Sequence, residues 1–168
     1  MSCFDWKGGI GSSSRRAGDH TVGVLLLTNF GSSEQLRVDG VPVGQLLDEK
    51  SDEAPEPGGS CIAVVATDAP LTPPQLERMA RRAGLGLGRA GSVAHHGSGE
   101  IFVAFAAAVE RSFADRDLNP LFQAAVDATE EAVLCSLWAA VDTVGRDGRL
   151  VRSLPREKVL DLYRGRGL

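Results

Sequence analysis

Apolar positions follow two different rhythms along this chain, and the change of rhythm outlines its elements. Thr21 to Thr28 is an apolar run of strand length, and Leu36 to Val38 predicts a second short strand leading into a turn at Asp39 and Gly40. Cys61 to Ala66 is continuously apolar and carries Ile62, Val64 and Val65, the pattern of a strand buried on both faces. Thr72-Pro73-Pro74-Gln75 then combines an N-cap, proline at the first helical position and a capping-box partner, so a helix is predicted from Thr72. Leu76, Met79, Ala80 and Ala83 recur at helical spacing with Arg78, Arg81 and Arg82 opposite, and Gly84 supplies a C-terminal stop. Ile101 to Val109 predicts another buried strand. Asn119 and Pro120 open a helix expected to reach about Val144, with Phe122, Val126, Val133 and Leu137 on its apolar face. A turn at Asp147 and Gly148 and a short helix from Pro155 to Tyr163 complete the pattern, which contains no internal repeat.

One stretch follows neither rhythm. Asp48 to Gly59 is rich in acids, prolines and glycines and offers nothing to pack, so an exposed, mobile connection is expected there. Ser60 therefore stands where that connection enters an apolar strand.

A chain of 168 residues with 43% hydrophobic content buries one ordinary core, and a single domain spanning 1–168 is expected. The net charge of -4 and the pI of about 5.4 supply no basic field for a phosphate backbone, so nucleic acid is not an expected partner. The longest apolar stretches, Val22–Leu27 and Ile101–Val109, are too short to span a bilayer, and no leader is recognised, so no membrane association is expected. Cys3, Cys61 and Cys135 are odd in number and widely scattered, which suits buried thiols and a cytoplasmic location.

Gly86-Leu-Gly-Arg-Ala-Gly91 matches G-x-G-x-x-G letter for letter, but it follows a helix and approaches a strand. A dinucleotide site needs the reverse order, so the segment is read as a glycine-rich loop. His95 and His96 have no other ligand at metal spacing apart from distant His20, and no metal is expected. More informative is His96-Gly-Ser-Gly-Glu100, where strand alternation points Ser98 and Glu100 to one side, as a proton relay or as a polar turn. Two further polar positions stand at strand ends: Ser60 after Gly58 and Gly59, and Asn29 after the first apolar run.

Together these segments resemble the DmpA-type family of L-aminopeptidase/D-esterases and β-peptidyl aminopeptidases. The similar stretches are Lys7–Arg15, Gly23–Gly31 with Thr28-Asn29-Phe30-Gly31, Gly59-Ser60, Val64–Pro70, Gly88–Ser92 and Gly97-Ser98-Gly99-Glu100. The resemblance implies a precursor that cleaves its own Gly59–Ser60 bond into an α chain ending at residue 59 and a β chain of residues 60–168. Ser60 would then be both nucleophile and N-terminus. The freed α-amine, with a pKa of about 7.7–8.0, would accept the hydroxyl proton. Ser98 and Glu100 would assist the relay, and Asn29 would donate to the oxyanion. The implied fold is an αββα sandwich similar to the N-terminal nucleophile hydrolases. The implied substrates are short peptides, amides or esters, without a cofactor, and the implied assembly is a homo-oligomer of αβ units.

Family members are roughly twice as long, so the beginning of the α chain, with more strands, an oxyanion tyrosine and an acid for the substrate amine, is expected to precede the segment seen here. The only tyrosine, Tyr163, does not match that position, and Cys135 stands where the family pattern has asparagine. Two other readings follow from the same residues. One is a non-catalytic remnant or interaction domain of this fold; the other is an ornithine-type acetyltransferase, against which Ser60 argues because that activity uses threonine.

Overall fold

The computed structural model describes residues 1–47, 59–108 and 112–165, so the expected connection lies outside the described residues except for Gly59. In chain order the structure begins with β1 (Ser2–Cys3) and β2 (Trp6–Lys7), which pair as a hairpin, followed by the long strands β3 (Ile10–Ala17) and β4 (His20–Asn29). A 3-10 turn at Ser33–Gln35 and the short helix α1 (Val43–Leu46) come next, then β5 (Gly59–Thr67). Helices α2 (Pro73–Ala80) and α3 (Arg82–Ala90) precede β6 (Ser98–Ala106), and α4 (Leu118–Trp138) is the longest element. The hairpin β7 (Thr143–Val144) and β8 (Leu150–Val151) and the helix α5 (Arg156–Arg164) close the chain.

The four long strands form one sheet in the order β3-β4-β5-β6. The first three are antiparallel neighbours, whereas β5 and β6 run parallel because α2 and α3 carry the chain across between them. Val22, Val24 and Leu26 of β4 and Ala63 and Val65 of β5 are buried under the helices. Against them α4 presents Ala125, Ala128 and Ala132, all fully buried small side chains that let the helix settle close to the strands. The approach is tightest at Gly11 of β3, where a Cβ would stand 1.8 Å from the Ala132 carbonyl oxygen of α4. Helix meets helix in the same way, since a Cβ on Gly86 of α3 would fall 2.6 Å from the Val126 carbonyl oxygen of α4.

The opposite face of the sheet is open. Ile10, Leu25, Ile62, Ile101, Val103 and Phe105 alternate with the buried positions, and Ile62 retains 42% and Ile101 58% of its exposure. The strands expected to be buried on both faces are therefore half-buried: an apolar run records that both sides are apolar, not that both are covered within this chain. Of the layers in an αββα arrangement, the described residues build one sheet and its helix layer.

Other expectations shift at their edges. The helix starting beyond Thr72 does not stop at Gly84 but passes through a break at Arg81 into α3, so the glycine-rich segment is helix rather than loop. Its end is Gly91, whose left-handed φ of 113° makes the C-cap. The long helix ends at Trp138 rather than near Val144, and Leu36–Val38 contributes only a bridge from Val38 to Val41 around the Asp39–Gly40 turn. The hairpin turn at Asp147 and Gly148 and the last helix lie where expected. Strand β3 was hidden in the sequence because its inward positions include Gly11, Ser13 and Arg15. The last two reach Glu131 on α4 instead of filling the core.

Candidate active site

Sheet register brings together residues that stand far apart in sequence. Ser60, the second residue of β5, lies opposite Asn29 at the end of β4 and opposite Gly99 on β6. Paired residues on neighbouring strands project to the same side, so Ser60 and Asn29 share the open face. Gly59 lies opposite Ser98, and Cys61 lies between Thr28 and Glu100. Cys61 and Thr28 are buried on the helix side, which places Ser98 and Glu100 on that side too.

Alternation along β6 holds the expected pair together: the Ser98 hydroxyl donates to Glu100 Oε1 at 2.5 Å. The carboxylate also makes itself felt on its neighbour. Burial, reinforced by the negative charge of Glu100, pushes the Cys61 thiol up to about 12. A thiol in that state is a buried apolar group and not a nucleophile. The four singled-out residues thus divide by face, Ser60 with Asn29 on one and Ser98 with Glu100 on the other. The backbone of β5 at the Gly59–Ser60 peptide lies between them.

Gly59 is required by packing. A Cβ there would come 2.9 Å from the Asn29 carbonyl oxygen and 3.2 Å from the Phe30 Cα, so only glycine lets this peptide lie flat against the end of β4. Beneath it Thr28 is fully buried, its hydroxyl 3.1 Å from the Ser136 hydroxyl of α4 and also bonded to the carbonyl of Gly9. Asn29 is anchored from the other side, because Oδ1 of its amide accepts the backbone N–H of Ser2 at 3.1 Å. No sequence motif pointed to Ser2, since the hairpin that carries it turns through Phe4 and Asp5 without glycine or asparagine.

A groove on the open face lies away from Ser60. It encloses about 530 Å³ between Ser12, Ser14, Leu25, Val64, Ala66 and Phe105. At about 3.3 Å per residue Val64 stands roughly 13 Å along β5 from Ser60, so the groove belongs to the middle of the sheet. His95 and Gln35 approach each other through Nε2 atoms at 3.1 Å on the exposed surface. Among the described residues, no group of three or more His, Cys, Asp and Glu side chains is arranged to hold a metal ion. Among them too, no helix is long and apolar enough to cross a membrane. Cys135, whose position departs from the expected asparagine, is half-buried on α4 with its thiol raised by burial.

Comparison with known proteins identifies the family of the chain. The pattern of Peptidase family S58 matches residues 1–151. The beta-peptidyl aminopeptidase BapA of Sphingosinicella microcystinivorans is 40% identical over 98% of this chain and 50% of its own length. BapA of Sphingosinicella xenopeptidilytica is 37% identical over 99% and 48%. Among solved structures, the PH0078 protein of Pyrococcus horikoshii OT3 superposes with a TM-score of 0.90 at 42% identity, covering 100% of this chain and 50% of the other. The L-aminopeptidase D-Ala-esterase/amidase of Ochrobactrum anthropi, described as a prototype for the serine aminopeptidases and a new variant among the Ntn hydrolase fold, superposes at 0.86 and 36% identity over 99% and 50%. The chain spans about half the length of the curated relatives it matches.

Proposed function

The chain belongs to Peptidase family S58, and on that premise we propose that it carries the nucleophile of a self-processing serine aminopeptidase, which hydrolyses the N-terminal residue of short peptides, amides or esters. The observation that supports this most is the row across the sheet, with Asn29 and Ser60 on one face and the hydrogen-bonded Ser98–Glu100 pair on the other. Scission of the Gly59–Ser60 bond leaves an α chain ending at residue 59 and a β chain of residues 60–168. It also vacates the register position opposite Ser98, and the new α-amine of Ser60 starts at that position.

In this reading the amine links the two faces. On the open face it takes the proton of its own Ser60 hydroxyl as the oxygen attacks the substrate carbonyl. On the helix side the Ser98 hydroxyl, which already donates to Glu100, accepts a hydrogen bond from the ammonium so formed. The Asn29 side-chain NH2 donates to the developing oxyanion. The ammonium returns its proton to the leaving amine or alcohol, and water releases the acyl group from Ser60. The substrates lie in the space over the open face, and αβ units assemble into a homo-oligomer.

The test is hydrolysis of aminoacyl p-nitroanilides with L-, D- and β-residues. One class at least is expected to turn over. Asn29→Ala is expected to lower kcat by about 10²–10³ with little change in KM, the usual effect of losing one oxyanion donor. Full activity in Asn29→Ala would remove this reading of the site. The uncovered apolar face supports a second reading, an interaction domain of the same fold without turnover, and inactivity toward all three classes is the outcome that favours it.

A further inference from the structure

The first seven residues form a hairpin with an unusual turn. Phe4 and Asp5 both have positive φ, 49° and 64°, a region that L-residues other than glycine, asparagine and aspartate seldom enter. The surroundings enforce it. The Phe4 ring is fully buried, meets Phe30 edge-on at 5.4 Å, and lies so close over Gly31 that a Cβ there would come 2.5 Å from the ring. The Phe4 N–H donates to the Phe30 carbonyl at 2.8 Å, and Asp5 Oδ2 accepts the Ser33 N–H at 2.7 Å. Cys3, also fully buried, bridges to Phe30. Strain held in place by this many contacts marks a segment whose exact position matters.

That position carries the Ser2 N–H to Oδ1 of Asn29. An asparagine amide has two orientations of nearly equal shape, one presenting NH2 and the other oxygen. A backbone N–H only donates, so it accepts just one of them: oxygen toward Ser2, NH2 turned away from it. We propose that the hairpin Ser2–Lys7 is the positioning device of the site, its Ser2 N–H fixing the Asn29 amide in the orientation that offers a donor rather than an acceptor. The catalytic consequence rests on the proposed role of Asn29, but the orientation itself does not.

Two measurements on the whole chain separate these points. Amide exchange followed by NMR reads the contact without any activity. Ser2 is expected to exchange at least tenfold slower in the wild type and in Asn29→Asp, which keeps an acceptor, than in Asn29→Ala. A Ser2 amide that exchanges at the unprotected rate in the wild type, or equally in all three, overturns the proposal. The second measurement is a kinetic cycle. Ser2→Pro, which removes the N–H, is expected to lower kcat roughly fivefold, about the weight of one ordinary hydrogen bond, at unchanged KM. The loss should vanish in the Asn29→Ala background. If it persists there, Ser2 acts through the fold and not through Asn29, and the proposal fails. A wild type without hydrolytic activity instead refutes the functional reading, leaving amide exchange to decide the orientation.

Discussion

Next to Ser60 in the chain stands Cys61, whose sulfur is intrinsically the better nucleophile, yet the two side chains face opposite ways. The Cys61 thiol is held protonated under the helices, and burial raises the Cys3 thiol to about 12 as well, against the lowering effect of hydrogen bonds from Thr28 and Ser136. Only the hydroxyl is left on the open side. The same burial predicts how stability depends on alkali. Both thiols have folded values raised above their ordinary value of 9.0. Between pH 9 and 12 the unfolded chain gives up these protons while the folded chain keeps them, so stability is full below pH 9 and falls as the pH rises through that window. Urea midpoints taken from pH 8 to 11 are expected to fall more steeply for the wild type than for Cys3→Ala or Cys61→Ala. The limiting slope is about 1.4 kcal/mol per pH unit for each thiol. Equal slopes in all three proteins would show that the thiols titrate normally in the fold.

At the scale of elements, the close seating of α4 on the sheet fixes where β3 and β4 end, and with them Asn29. Gly11→Ala puts a methyl group 1.8 Å from the Ala132 carbonyl oxygen, and the helix has to lift. A loss of about 1–3 kcal/mol in unfolding free energy is expected from denaturant titration. No loss would mean that α4 does not bear on β3 at this point. The elements themselves were unevenly legible in the sequence. β4, β5, β6 and the start of α2 were readable because apolar runs and a proline-bearing capping box announce them. β3 was not, because its inward residues are glycine, serine and arginine that satisfy themselves against α4. Gly84 looks like a helix stop and Gly86–Gly91 like a loop, which hides most of α3 in the sequence; Gly86 is there to bring two helices together. Unlike Ser2, the four residues Ser60, Asn29, Ser98 and Glu100 were visible as polar positions at strand ends. Their division between two faces was not, because it depends on the register between β5 and β6, which the chain sets through a helical crossover.

For the molecule as a whole, the exposed row of Ile10, Leu25, Ile62, Ile101, Val103 and Phe105 lies on the same face as Ser60. Exposed apolar surface gathered on one face is the kind of surface that a ligand or a partner covers. The proposed substrates have to enter over this same face, so the proposed site and the apolar row adjoin on one surface. The central claim, that Ser60 is a nucleophile released by scission of the bond before it, is tested most directly by intact-mass spectrometry of the purified chain beside Ser60→Ala. The account predicts two fragments from the unmutated chain, ending at Gly59 and beginning at Ser60, and a single uncut mass from the variant. A folded wild type that stays whole, or a Ser60→Ala chain that is cut at the same bond, would contradict it.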